Sequence, residues 1–244
     1  MSKKINLDEL CYSVLHIENE PTMGNLFRIT FKKNIDLILN NKIKELKAET
    51  VYISNKEQFD KYYLNNPDIL VDKKGYVNYA AEVGWKFGEL GIWASNVNIW
   101  KNFIDSGYEY LLVLEDDVQL KPNFVEKFLE YTSELPADWE IMTLFVGEYE
   151  YMKLFGKKDI NDYKNICTSY HELNHSVVLL NRKTVLKILE KIKTPINLPI
   201  DLYFFRKPND FMTYSIRPTA EQICRITNAL PSTFQNSHYF APID

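Results

Sequence analysis

Apolar and polar positions alternate along the chain with two periods. Compact apolar stretches predict buried strands, and apolar positions three and four apart predict amphipathic helices. Cys11–Ile17 reads as a first buried strand. From Asn25 to Leu46 the pattern is mostly helical, with Leu26, Ile29, Ile35, Ile38, Leu39, Ile43 and Leu46 near helical spacing. Thr50–Ser54 predicts a short second strand and Lys56–Leu64 a short helix. The polar stretch Asn65–Asn78 reads as a loop.

The strongest pattern follows. Val83–Ser106 predicts a helix with Phe87, Leu90, Ala94, Val97 and Ile104 along one stripe. Gly107 stands where a left-handed cap belongs. Tyr110–Leu114 is wholly apolar, the mark of a central strand covered on both faces. Pro122 opens another helix, carrying Phe124, Val125, Phe128, Leu129 and Leu135. Trp139–Val146 and His175–Leu180 are strand candidates, and Lys183–Lys193 is an amphipathic helix stopped by Pro195 and Pro199. Asp201–Phe205 is a short apolar segment; Thr213–Ile216 and Gln222–Ile226 are late strands that could pair with each other. Ser232–Asp244 reads as a tail over the surface. Strands alternating with helices predict an α/β fold with a mainly parallel central sheet.

Composition narrows the classes. At 244 residues, with 8 glycines and no repeat or low-complexity block, the chain reads as one domain. A hydrophobic fraction of 45% and a net charge of −4 exclude disorder as the main state. The same charge argues against nucleic acid, whose binding needs a basic face. Three scattered cysteines, Cys11, Cys167 and Cys224, suggest neither a disulfide scaffold nor a zinc site, and fit a reducing compartment. Charges interrupt the N-terminal segment, so it does not read as a secretory signal, and no apolar run is long enough to span a bilayer. The expectation is a cytoplasmic protein.

The central strand ends in Glu115-Asp116-Asp117. Open α/β sheets bind ligands just beyond the carboxyl ends of their strands. Three adjacent carboxylates repel one another, and a hard divalent cation relieves that repulsion. Mg²⁺ or Mn²⁺ typically binds through one or two carboxylates, with substrate phosphates completing its shell. The other reading is a solvated turn, its acids favourable near the N-terminus of the helix after Pro122.

These residues carry a family resemblance. Gly88-Glu89-Leu90-Gly91, then Ile99-Trp100, then the strand from Tyr110 through Glu115-Asp116-Asp117 to Val118 resemble glycosyltransferase family 25. That family includes lipooligosaccharide and collagen galactosyltransferases. The likeness is tight over about thirty residues and looser elsewhere. Val14–Ile17 stands at the family's first strand, Arg28 answers to a following arginine, and Leu198-Pro199-Ile200-Asp201 is similar to a Pro-Val-Asp segment. Pro218 and Gln222 keep a late proline–glutamine spacing. Two places depart: the family's Ser-His is Ser95-Asn96, and the first strand ends in His16-Ile17-Glu18-Asn19.

The resemblance implies a glycosyltransferase-A (Rossmann-like) fold. It also implies metal-dependent, inverting transfer of a sugar, most simply galactose, from a UDP-sugar to a glycan, lipooligosaccharide or protein hydroxyl. The donor part falls at about 1–120 and the acceptor side at about 121–244. Asp117 would ligate Mn²⁺ or Mg²⁺ bridging the diphosphate. Glu115 would meet the metal's water shell or the ribose, and Asp116 the donor or nothing. Two alternatives are a metal-dependent phosphohydrolase and a non-catalytic sugar-nucleotide-binding relative.

Each remaining candidate has two readings. Gly84, Gly88 and Gly91 share a helix face and permit close approach of a nucleotide or of another backbone. Glu89 orients the donor sugar or is a surface acid. Asp201 is the base that takes the acceptor hydroxyl's proton, or a helix cap after proline. His238 completes a metal shell or lies exposed in the tail. His16 touches uracil or ribose, and His175 the acceptor, unless both are satisfied core histidines. Arg182, Lys183, Lys187, Lys191 and Lys193 offer a peripheral membrane contact or a solvated face.

Overall fold

The computed structural model of the chain describes residues 4–16, 24–66, 71–72, 85–145, 163–168, 175–205, 210–217 and 219–226. A 3-10 turn, Leu7–Glu9, leads into β1, Leu10–Leu15. Helix α1 is Gly24–Leu39, β2 Lys44–Glu45, α2 Lys56–Asn65 and α3 Phe87–Ser106. Then come β3, Tyr110–Glu115, β4, Val118–Leu120, α4, Phe124–Thr132, and β5, Ile141–Thr143. The rest are β6, Ile166–Thr168, β7, Val177–Asn181, α5, Arg182–Lys191, α6, Ile200–Phe205, β8, Thr213–Ile216, and β9, Cys224–Ile226.

Among the described residues, seven strands form one sheet in the order β2-β1-β3-β7-β5-β8-β6. The expected α/β class holds, and β1, β2 and β3 are parallel. The sheet as a whole is mixed, because β7 runs antiparallel to both β3 and β5, and β6 antiparallel to β8. The late strands do not pair with each other. β8 joins β5 and β6, while β9 pairs with β4 in a separate two-stranded ribbon.

Strand alternation builds two cores. Leu10, Tyr12, Val14, Leu112 and Leu114 face Ile35 and Leu39 of α1 and Phe124 and Phe128 of α4. Cys11, Leu111 and Val113 face the other way, against Trp93 and Trp100 of α3, Val185 and Ile188 of α5, and Phe204 of α6. Each such side chain, when large and fully buried, contributes roughly 1.5–3 kcal/mol. All three cysteines are buried and free.

The expected helix to Leu46 stops at Leu39; the chain turns there and pairs Lys44 and Glu45 with β1. Thr50–Ser54 joins no sheet among the described residues. The chain from Lys47 to Val51 lies along α3, whose Ser95, Asn98 and Asn102 bond its backbone. Val51 N–H donates to Ser95 Oγ at 2.8 Å, and the two asparagine amides donate to the carbonyls of Glu49 and Lys47, each at 3.2 Å. Gly91 belongs to the same stripe: a Cβ there would stand 2.9 Å from the Val51 carbonyl oxygen. Its missing side chain therefore makes room for backbone. Gly107 takes φ 80° and ends α3 as expected.

Arg182 crosses to that same helix end. Its guanidinium donates to the carbonyl of Tyr108 at 2.9 Å and to that of Ile104, satisfying carbonyls the helix leaves open. Lys187 pairs with Glu140 at 2.8 Å, Lys191 with Asp210, and Lys193 with Glu190 at 2.5 Å. Four of the five basic side chains considered for a membrane surface are thus engaged within the fold, which favours the solvated-face reading. Among the described residues, no helix is long and apolar enough to cross a membrane.

Candidate active site

Strand register assembles the site. Parallel pairing sets Leu15 beside Glu115, so the next residues, His16 and Asp116, meet just past the strand ends. His16 Nδ1 and Asp116 Oδ2 are 2.8 Å apart. On the other side, antiparallel pairing sets Val177 beside Leu114, which brings Ser176 to Glu115. The Glu115 N–H donates to the Ser176 carbonyl at 2.8 Å, and the Ser176 hydroxyl donates to Glu115 Oε2 at 2.6 Å.

The three acids have different environments. Asp116 is 3% exposed, and its second oxygen accepts from Arg28 at 2.5 Å. Arg28 is itself 6% exposed, so this is a buried ion pair with both carboxylate oxygens engaged. Asp116 ties the end of β1 and the start of α1 to the turn after β3. Asp117 is partly exposed, but its Oδ1 is buried and has no hydrogen-bond partner among the described residues. Burial and the neighbouring Asp116 push its pKa up, with Arg28 opposing. Glu115 rises from 4.5 to about 8, through burial first and the charge of Asp117 second.

Asp201 joins this group from a distant part of the sequence. It lies in the first turn of α6, where Oδ1 accepts from the Leu202 N–H at 2.8 Å. Its charge adds to the upward shift of Glu115, which puts the two carboxylates in one electrostatic neighbourhood. Burial pushes its own pKa up. Both readings of Asp201 therefore keep support: it stabilises a helix start, and it is a proton-holding carboxylate near the acidic turn.

On the β1 side a recess of about 120 Å³ opens, lined by Ser13, His16, Lys32, Glu45, Lys47 and Thr50 among others. His16 connects this recess to the acidic turn. Lys32 Nζ lies 3.0 Å from Asp36 and 3.5 Å from Glu45.

Two other candidates, Glu89 and Gly88, belong to the first turn of α3, and two lie outside the described residues. Glu89 Oε2 accepts the Lys86 N–H at 2.9 Å, holding the first turn of α3. Gly88 is buried in that turn. His238 and Gly84 lie outside the described residues. Sequence reasoning missed Ser176, whose only signal is its register opposite Glu115. It named Arg28 by resemblance without finding its partner Asp116.

A metal ion fits the donor set in one form only. Among the described residues, no three His, Cys, Asp or Glu side chains converge as a ready-made cage. Asp117 has an unused buried oxygen beside a second acid, Glu115, and both hold their protons tightly because of burial first and neighbouring negative charge second. That matches a cation held by two carboxylates and completed by ligand oxygens.

The family profile for "Glycosyltransferase family 25 (LPS biosynthesis protein)" matches residues 80–204, just over half of the chain. The chain belongs to this family. The match takes in α3, β3, the acidic turn, Ser176 and Asp201, while His16, Arg28 and the recess fall outside it. Procollagen galactosyltransferase 2 of Mus musculus is 28% identical over 98 residues, 38% of this chain and 15% of that protein. Inactive glycosyltransferase 25 family member 3 of Mus musculus is 26% identical over 141 residues, 50% of this chain and 22% of that protein. The chain thus spans less than a quarter of the length of these relatives. Among solved structures, a glycosyltransferase involved in glycosylating the major capsid of PBCV-1 aligns with 75% of this chain and 65% of its own. Its identity is 11% and its TM-score 0.33. Mouse xyloside xylosyltransferase 1 aligns over 76% and 71%, at 14% identity and TM-score 0.37.

Proposed function

We propose that this family 25 glycosyltransferase moves a hexose, most simply galactose, from a UDP-sugar to an acceptor hydroxyl with inversion, in one domain of glycosyltransferase-A type. The observation that carries the reading is the juxtaposition at the end of β3. A polar recess beside His16, an acid with an unused buried oxygen (Asp117) and a second proton-holding acid (Asp201) flank one strand terminus. The recess takes the nucleoside, with His16 against uracil or ribose. The diphosphate lies toward Asp117 and Glu115, which would hold Mn²⁺ or Mg²⁺. A bound cation would offset the negative charge that builds on the departing diphosphate.

The chain's own residues do the rest. Asp116 holds His16 and Arg28 in place and so shapes the edge of the recess. Asp201 accepts the proton of the acceptor hydroxyl as that oxygen attacks the anomeric carbon; the bond to UDP breaks and UDP leaves. The upward shift of Asp201 suits a base that must hold a proton at the end of the step. The acceptor is a glycan, a lipid-linked oligosaccharide or a protein hydroxyl on the side of residues 121–244, and the setting is cytoplasmic.

Thermal unfolding with Mn²⁺ and UDP or GDP tests the donor site. Wild type gains stability with UDP plus Mn²⁺; Asp117→Asn keeps its fold and loses the Mn²⁺-dependent part. An unchanged Mn²⁺-dependent gain in the variant removes Asp117 from the site. The relative named as inactive supports a second reading, a binding protein without turnover. UDP release from UDP-hexoses with hydroxylated acceptors separates the two: the enzyme releases UDP, the binder does not.

A further inference from the structure

Phe204 packs against His175 and Trp100, two residues that carry polar atoms without partners among the described residues. His175 is 4% exposed, and neither ring nitrogen has a hydrogen-bond partner among the described residues. Its ring stacks on Phe204 at 5.5 Å between centroids and 27° between planes. On α3, Trp93, Asn96 and Trp100 share a face at i, i+3 and i+7. Both indoles contact Phe204, at 6.4 and 5.9 Å between centroids. Trp93 uses its N–H on the Leu198 carbonyl at 2.9 Å, but Trp100 Nε1 has no acceptor. Asn96 donates to the Ile92 carbonyl at 3.0 Å, which leaves its Oδ1 unpaired. Unpaired polar atoms are costly in a protein interior, and each calls for a reason.

Their location supplies one. His175 precedes Ser176, whose hydroxyl holds Glu115. Phe204 lies three residues beyond Asp201 on α6. The stacked pair His175 and Phe204 is thus tied through the chain to both acids, His175 through Ser176 and Phe204 through the helix that carries Asp201. Their chemistry narrows the ligand. A neutral imidazole offers one donor and one acceptor, Trp100 adds a donor, and Asn96 adds an acceptor. Burial holds the imidazole neutral, with its pKa pushed down to about 3. Two donors and two acceptors without fixed charge suit hydroxyl groups, which both donate and accept. None of the four atoms supplies a fixed counter-charge for an ion.

We propose that His175, with Asn96 and Trp100, is the sugar-reading part of the site, bonding hydroxyls of the transferred hexose once the Phe204 ring is displaced. This rests on the UDP-sugar reading above and adds the residues that recognise the sugar. An internal water has the same hydrogen-bonding chemistry, so the test must separate the two.

The test compares wild type with His175→Phe, which keeps the ring stack and drops both nitrogens. Dissociation constants are measured with Mn²⁺ for UDP and for a panel of UDP-hexoses. The variant is expected to bind UDP within about twofold of wild type, bind at least one UDP-hexose about tenfold more weakly, and melt higher than wild type without ligand. Unchanged affinity for every UDP-hexose overturns the proposal and leaves His175 a packing residue or the partner of a water. Equal weakening for UDP and UDP-hexoses also overturns it, assigning His175 to support of Glu115 through Ser176. A folded wild type that binds no UDP overturns the nucleotide reading and this proposal with it. Should His175→Phe fail to fold, Asn96→Leu carries the same comparison.

Discussion

Two sets of buried polar groups lie near the acidic turn and on α3, and their hydrogen bonding is opposite. On the β1 side, Asp116 is buried with both oxygens engaged, one near His16 and one by Arg28. Elsewhere around the strand end and on α3, Asp117 Oδ1, Asn96 Oδ1, Trp100 Nε1 and both His175 nitrogens have no partner among the described residues. Adjacent acids in one motif thus do different work. The satisfied one is architecture: it fixes where β1 and α1 end up. The unsatisfied groups cost stability in the free protein, and such costs persist where a ligand relieves them. Asp116, grouped with donor-binding residues by the family resemblance, has both oxygens engaged by His16 and Arg28.

The largest test of this contrast is kinetic. Asp201→Asn should lower kcat by roughly 10²–10⁴-fold and leave UDP affinity unchanged. Turnover within about threefold of wild type, far short of that range, would make Asp201 only the stabiliser of α6. Loss of UDP binding together with Mn²⁺ would make it a donor ligand.

Arg28→Met strikes the satisfied side. It strands Asp116 as a buried, uncompensated charge and should destabilise the fold by about 3–5 kcal/mol in urea denaturation. A loss below about 1 kcal/mol, the range of an exposed pair, would mean that the pair is solvated and the contrast false.

Glu115→Gln tests the crowded charge through pH. Because the folded-state pKa lies near 8 rather than 4.5, the folded chain holds this proton more tightly than the unfolded chain does. That advantage is complete below about pH 4.5 and is lost as pH rises through about 8. Glutamine cannot ionise, so without metal the variant should gain on wild type as pH rises, by about 1–3 kcal/mol at pH 9. A difference that does not change with pH would show that Glu115 is well solvated.

The smallest effect belongs to Asp117→Asn. Removing one like charge beside two others should raise ligand-free stability by about 0.5 kcal/mol, in contrast to Arg28→Met. A marked loss in chemical denaturation would mean that Asp117, too, holds the fold together.

Much of the fold was legible where burial is nearly complete. The apolar block at Tyr110–Leu114 and the stripe ending at Gly107 predicted β3 and α3 within a few residues, since both are covered on most sides. Legibility failed where partners are remote. Thr50–Ser54 has the composition of a strand, yet the Val51 N–H bonds to Ser95 of α3. Ile43 and Leu46 continue a helical spacing by chance; the helix has already ended at Leu39, and Lys44 and Glu45 between them pair with β1.

The same division holds for the site. Residue order by itself determined the acidic turn: an apolar strand must end, and the carboxylates that follow it fall at the sheet's carboxyl edge. It also determined the family, because the decisive residues are close together in the chain. Only the tertiary structure decided the roles within that turn. Asp116 differs from Asp117 because parallel register delivers His16 and α1 delivers Arg28, from about ninety to a hundred positions away. Ser176 reaches Glu115 through antiparallel register, and Asp201 arrives on a six-residue helix. A carboxylate's chemistry is set by the charges, donors and solvent around it, and in this molecule those neighbours come from strands and helices far apart in sequence.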